Sequence, residues 1–155
     1  MTRDSTLDVR LTPVAASDAD ELASLRASAM RQSLERIGRF DPERARARLL
    51  STFVPANTRH IELAGARVGL VVTITTPDKL QLDHLYILSE AQNKGVGGAV
   101  LADVFAEADR LGLPTRVCVL RESDANRFYT RHGFVLIAQT EWDNQYQRAP
   151  KPPVP

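Results

Sequence analysis

Apolar and polar residues alternate from Leu7 to Leu11, a period of two that predicts a first β-strand closed by Pro13. The period then lengthens. Ser17-Asp18-Ala19-Asp20 supplies a capping side chain and first-turn acids, and Leu22, Leu25, Ala29, Leu34 and Ile37 recur at roughly helical spacing up to Gly38. Asp41-Pro42 opens a second helix from Pro42 to Ser51, on which Arg44, Arg46 and Arg48 read as a solvated face. From Arg59 the texture is that of strands. Arg59 to Ala64 alternates, Gly65-Ala66 is a tight turn, and Val68 to Thr75 is a buried strand rich in β-branched residues. Pro77-Asp78 makes another turn before a strand from Leu80 to Leu88.

A glycine-rich turn follows, then a helix from about Lys94 to Leu111 with Val96, Val100, Val104, Phe105, Ala108 and Leu111 as its apolar stripe. Gly112 and Pro114 stop it. Thr115 to Leu120 reads as a buried apolar strand, and its place after strand and helix implies a parallel crossover. Ser123 to His132 is a short helix closed by Gly133, and Phe134 to Gln139 and Glu141 to Gln147 are the last strands. The order β-α-α-β-β-β-α-β-α-β-β predicts an α/β fold whose mixed, mainly antiparallel central sheet is flanked by helices. It lacks the regular alternation of a doubly wound nucleotide fold. Residues 1–148 are expected to form a single domain, and 149–155, carrying Pro150, Pro152, Pro153 and Pro155, a disordered tail.

Composition narrows the function. With 155 residues, 43% hydrophobic, 25% charged and a net charge of +1, the chain has the balance of a soluble globular protein without a polyanion-binding surface. No stretch approaches the roughly 18 apolar residues of a membrane span, so the expected compartment is the cytoplasm, with neither nucleic acid nor membrane as partner. Cys118 is the sole cysteine and is expected as a small core hydrophobe in its strand, which disfavours an acyl-cysteine route. His60, His84 and His132 are too scattered for a zinc site, so no metal is expected. His132 suits a helix C-terminus, where a cation meets the dipole.

The turn Gln92-Asn93-Lys94-Gly95-Val96-Gly97-Gly98 carries the chemistry. Strand, glycine turn and helix together make an anion site. The first helical N–H groups lack internal partners, the dipole favours negative charge, and Gly95, Gly97 and Gly98 let backbone approach a phosphate. Lys94 adds a cation. The turn lacks the Gly-Lys-Ser/Thr ending of a P-loop, and Val100 stands where a dinucleotide fingerprint needs a small residue. By itself the turn also fits a plain strand-to-helix junction.

Two segments bring a resemblance. Leu85 to Leu101, through Gln92, Gly95 and Gly97, is similar to the strand and Arg/Gln-x-x-Gly-x-Gly/Ala turn of the GCN5-related N-acetyltransferase (GNAT) family. Downstream, Ala125, Phe128-Tyr129 and Gly133-Phe134 resemble that family's alanine, aromatic-tyrosine and glycine-phenylalanine signature. The resemblance spans about Val9 to Tyr146 and is weakest before Arg59. It implies an N-acetyltransferase moving acetyl directly from acetyl-coenzyme A to a primary amine. It implies that the amides of Asn93, Lys94, Gly95, Val96, Gly97 and Gly98 hold the pyrophosphate. Leu85, Tyr86 and Ile87 would pair with the pantetheine arm like an added strand. Tyr129 would protonate the leaving thiolate. Gln92, Phe128 and Asn126 join the expected coenzyme contacts, Asn126 with solvent as its other reading.

The family's asparagine six or seven residues before the tyrosine is absent; Glu122 and Ser123 stand there. Ser123 either contacts the coenzyme or caps the helix, and the cap is favoured. An amine of pKa near 10 must lose a proton before attack. Asp83 and His84 are candidate bases, and as strand neighbours at most one faces the cleft. Two rivals stand beside this reading: a non-catalytic acyl-CoA-binding or regulatory domain of the same fold, and an unrelated ATP- or NAD-binding enzyme. The acceptor, small amine or peptide, is not legible. A homodimer through an exposed final strand is open.

Overall fold

The computed structural model describes residues 7–152. Its elements run β1 (Val9–Pro13), α1 (Ala19–Arg36), α2 (Pro42–Leu50), β2 (Thr58–Leu63), β3 (Ala66–Thr75), β4 (Leu80–Ile87), α3 (Val96–Leu111), β5 (Thr115–Leu120), α4 (Ala125–Arg131), β6 (Val135–Gln139) and β7 (Asp143–Arg148), with three single-turn 3-10 segments between them. This is the order expected from the periodicities. The strands form one seven-stranded sheet, β1-β2-β3-β4-β5-β7-β6. β1–β2, β2–β3, β5–β7 and β6–β7 pair antiparallel, and β4–β5 is the parallel crossover.

The described residues divide into two compact units, interleaved along the chain. The first is the chain up to Val72 with His84–Val100; the second is Thr73–Asp83 with the chain from Leu101 onward.

In the first unit, α1 and α2 cover an apolar cluster of Leu22, Ala23, Leu25, Leu49, Leu70 and Val72, rimmed by the half-buried Val14, Phe53, Tyr86 and Leu88. The Asp41 carboxylate accepts the Arg44 amide at 3.2 Å and starts α2, as the Asp-Pro pair predicted. Arg46 is more than solvated surface: its guanidinium reaches Asp20 and Ser24 of α1. Pro13 ends β1 as expected and is its last paired residue, opposite Arg59; it sits on the edge strand, where a missing N–H costs no ladder bond.

In the second unit, β7 is central rather than exposed: it pairs with β5 from Asp143 to Arg148 and with β6 on its other side. The final strand expected as an edge is thus interior, and β6 is the edge, with Val135, Leu136 and Ile137 exposed. β5 also departs from expectation. It alternates, with Thr115, Val117 and Val119 buried and Arg116 and Cys118 facing out. Cys118 is therefore surface, because a strand with one buried face turns every second residue away from the core. The inward positions of β7 are Asn144, Tyr146 and Arg148, all able to hydrogen-bond. Arg148 grips Asp109 of α3 through two bonds of 2.9 and 3.2 Å and lies 4.0 Å over the Phe105 ring. The Lys151 amide also donates to Asp109, at 2.9 Å. The rest of the expected tail, 153–155, lies outside the described residues.

Among the described residues no helix is long and apolar enough to cross a membrane, and no three His, Cys, Asp or Glu side chains gather as a metal site.

Candidate functional site

The glycine turn is built by backbone conformations that few residues adopt. After β4, Ser89–Ala91 makes one 3-10 turn and Gln92 is extended. Asn93 then takes φ 63° and Gly95 φ 84°, both left-handed. Gly95 does so without a Cβ penalty, and asparagine is among the few side chains that tolerate the region. These two reversals delay the helix, so α3 begins at Val96 and not at Lys94. The Gly95 carbonyl accepts the Ala99 amide at 3.1 Å, the first bond of the helix. The amides of Val96, Gly97 and Gly98 therefore lie in the opening turn, where no helical carbonyl can serve them. Asn93, Lys94 and Gly95 are exposed in front of them. Gln92 is also exposed, but its side-chain amide turns back and donates to the Ile87 carbonyl at 2.8 Å, tying the turn to the strand.

On β4 the side chains alternate. Asp83 is exposed and His84 is buried, so the two base candidates point to opposite faces. His84 Nδ1 lies 3.4 Å from the Tyr86 hydroxyl, and their rings are 5.5 Å apart. Tyr86 is in turn covered by Arg26 of α1, whose guanidinium carbon is 5.2 Å from the ring centroid. Arg26 is only 6% exposed; one Nη donates to the Ala45 carbonyl at 2.7 Å, while Nε has no hydrogen-bond partner among the described residues. The Leu88 amide bonds Val68 at 2.8 Å, and Gly69 lets β3 approach the Tyr86–Ile87 backbone closely. The parallel ladder to β5 holds Leu80, Gln81 and Leu82 opposite Thr115, Arg116 and Val117; β4 itself runs on to Ile87.

In the second unit, Tyr129 is buried in α4 at 5% exposure, with Phe128 and Phe134 around it at ring distances of 5.1 and 5.3 Å. Phe128 also packs at a tilt of 57° against His132, with ring centroids 4.8 Å apart. Ser123 Oγ accepts the Ala125 amide at 3.0 Å, a local turn bond one residue ahead of the N-cap position, which Asp124 occupies. Asn126 is half-buried and its side chain is bonded within the chain. Its Nδ2 donates to the carbonyls of Leu120, Arg121 and Ser123 at 2.9, 3.2 and 2.7 Å. Its Oδ1 accepts from Asn144 Nδ2 at 2.8 Å and the Tyr146 hydroxyl at 2.7 Å. Both amide ends are saturated inside the protein.

Two features escaped sequence reasoning. The Asn126 clamp depends on β7 residues that read only as a polar strand. Arg26 had a weak signal: it sits one turn after Leu22, so a charge occupies the core-facing stripe of α1.

Comparison with known proteins bears on this arrangement. The family model described as an acetyltransferase (GNAT) domain matches residues 56–136, more than half of the chain. No curated protein matches the sequence. Among solved structures, the PaiA N-acetyltransferase of Thermoplasma acidophilum, in complex with coenzyme A, superposes with a TM-score of 0.76 at 15% identity, over 92% of this chain and 99% of that one. An acetyltransferase from Thermus thermophilus gives 0.73 at 21% identity, covering 93% and 98%. The ribosomal-protein-S18-alanine N-acetyltransferase of Escherichia coli gives 0.68 at 13%, covering 92% and 94%. At such identities these neighbours establish the fold alone, while the family model and the turn it includes establish kinship: the chain belongs to the GNAT acetyltransferase family.

Proposed function

We propose that this protein is an N-acetyltransferase that takes acetyl from acetyl-coenzyme A and gives it directly to a primary amine. The observation that carries the reading is the turn at Asn93–Gly98, whose left-handed Asn93 and Gly95 present the opening amides of α3. A diphosphate there meets backbone donors and the positive end of a helix. The bound thioester carrier of the PaiA neighbour supports coenzyme A as the ligand. In this reading Leu85, Tyr86 and Ile87 receive the pantetheine amides, and Gln92 acts indirectly by tying the turn to Ile87.

The chemistry is an addition and an elimination. The neutral amine attacks the thioester carbonyl, the tetrahedral intermediate collapses, and the thiolate leaves. The Tyr129 phenol protonates that thiolate. Of the two bases, His84 is the better placed. It is buried beside a phenol, whereas Asp83 is exposed on the opposite face of the strand. Asn126, with both amide ends already bonded, holds the start of α4 rather than the coenzyme. Phe128 contributes packing beside Tyr129.

One observation favours the alternative of a non-catalytic acyl-CoA-binding domain: the family's asparagine is absent, and Ser123 at that place already accepts a local bond from the Ala125 amide. One set of measurements separates the readings. Coenzyme A should raise the melting temperature of the protein, and ADP, which lacks pantetheine, should raise it less. Thiol release from acetyl-CoA in the presence of an amine panel should then be seen. Tyr129→Phe should lower kcat by roughly 100-fold or more while retaining coenzyme affinity. Coenzyme binding without release on any amine would favour the regulatory domain, and no coenzyme binding would end both readings.

A further inference from the structure

Arg26 is a buried charge without a carboxylate. Two other cations of its helix hairpin have one: Arg31 bonds Glu35 at 3.0 Å, and Arg46 bonds Asp20. Arg26 is more buried than either, yet among the described residues no carboxylate pairs with it. It has one carbonyl, Ala45, and one aromatic face, Tyr86. Its Nε is buried and unbonded. A guanidinium out of water without an anion is costly, and buried charges are ordinarily paired. A neutral carbonyl and an offset ring at 5.2 Å offset only part of that cost.

The missing partner has a definite shape. With one Nη committed to Ala45, the remaining donors are Nε and the other Nη. These lie side by side as a planar fork that matches the two oxygens of a carboxylate. A lone guanidinium also matches a single negative charge better than a phosphate dianion. The surroundings suit an amine as well. Tyr86 is flanked by Arg26 at 5.2 Å and by the His84 ring at 5.5 Å, so the anion-binding group and the proposed base are separated by no more than those two steps. Half-buried Val14, Phe53 and Leu88 line the same cluster and supply apolar walls.

We infer that the acceptor amine carries a carboxylate that pairs with Arg26, so the substrate class is a small amino acid. The carboxylate docks on the guanidinium fork, and the amine is left near His84. This rests on the acetyl-transfer reading above and deepens it.

The test compares amino acids with their carboxamides as acceptors for the wild-type protein at saturating acetyl-CoA. This arm needs no variant. The KM for an accepted amino acid should be at least about tenfold below that of its amide, because an amide leaves the fork unpaired. Arg26→Met should raise the amino-acid KM by about tenfold or more, with little change for the amide, and Arg26→Lys should recover part of the loss. Independently of turnover, the N-acetylated amino acid should raise the melting temperature of wild type more than its amide does. Should Arg26→Met unfold, the two wild-type comparisons still decide. Equal use of acid and amide, a preference for a phosphorylated amine, or equal loss on both acceptors in Arg26→Met would overturn the inference. The last result would make Arg26 a staple between α1 and α2. A wild type that binds coenzyme A but discriminates no carboxylate sinks this inference alone; one that fails to bind coenzyme A sinks the transferase reading with it.

Discussion

Gly69→Ala tests whether the approach of β3 to β4 sets the coenzyme strand. Gly69 is buried in β3, opposite Ile61 of β2, and next to the register shift at Ile61/Glu62. Its φ is not left-handed, so the backbone itself accepts alanine. Space does not. An added Cβ would overlap the Tyr86 carbonyl oxygen, lie 3.3 Å from Ile87 Cα and 3.1 Å from Ile61 Cδ1. The Ile61 methyl is the end of a flexible side chain and can turn aside. The other two atoms are backbone of the strand proposed to carry pantetheine, so relief requires the strands to part. Overpacking of this kind costs about 1–3 kcal/mol, and since two of three contacts are backbone the upper half applies. Restricting the unfolded chain returns about 0.4–1 kcal/mol. The net loss is about 1–2.6 kcal/mol, and at roughly 2–4 °C per kcal/mol for a chain of this size the melting temperature should fall by about 2–10 °C. Calorimetry measures that, and titration with coenzyme A should show affinity weakened by roughly tenfold, because the Tyr86 and Ile87 carbonyls have moved. Gly65→Ala is the control. Gly65 has φ 87° with nothing within 4 Å of the added carbon, so it should cost about 1–2 kcal/mol through backbone strain and leave coenzyme affinity intact. If Gly69→Ala melted within about 1 °C of wild type and bound coenzyme A normally, the steric reasoning would be refuted.

Three further outcomes follow from the second unit. Asn126→Ala removes the amide that joins the Leu120–Ser123 carbonyls to Asn144 and Tyr146; it should lower stability by about 2 kcal/mol in denaturant titrations and reduce kcat more than coenzyme affinity, since Tyr129 lies one turn further along α4. The Asp109 carboxyl is held below its ordinary 3.8, first by hydrogen bonds from Arg148 and then by the Lys151 amide. That stabilisation is complete above 3.8 and is lost as pH falls through the lower folded-state value, so Asp109→Asn should be less stable near neutrality and should show a flatter fall in melting temperature on acidification below pH 3.8. Cys118 is exposed, and a thiol reagent should label it in the folded protein nearly as completely as in denaturant; protection of the native thiol would contradict the alternation found in β5.

What the sequence could and could not yield divides along the range of the interaction. Helix α3, its stop at Gly112 and the glycine turn rest on neighbours three or four residues apart, and these were legible. The start of α3 shifted by two residues only because Asn93, which reads as an ordinary polar residue, goes left-handed. β5 was misjudged because Val-Cys-Val-Leu is equally consistent with two buried faces or one, and only the pairing with β4 and β7 decides which side meets a helix. β7 is the sharper case. Asp-Asn-Gln-Tyr-Gln-Arg looks like a solvent-facing edge, yet Asn144, Tyr146 and Arg148 are buried. Their burial is tolerable because Asn126 and Asp109 answer them from 18, 20 and 39 residues away. No local pattern encodes such partners; they exist only once the sheet has formed.

The same accounting makes Arg26 informative. A buried polar group must find its bonds somewhere. Asn126 finds all of them inside the chain, so its bonded amide argues for a structural post, and coenzyme binding need not be invoked for it. Arg26 has the same burial problem and is only partly answered, by one carbonyl and one ring. If folding alone had to justify that guanidinium, an apolar residue at this core-facing position would serve better, since replacing buried ionic groups by packed hydrophobes is often neutral or stabilising. Arg26→Met should therefore leave the melting temperature of the ligand-free protein unchanged or raised, while a true helix staple should melt lower. Thermal unfolding of the two proteins without any ligand separates these accounts before a single acceptor is tried.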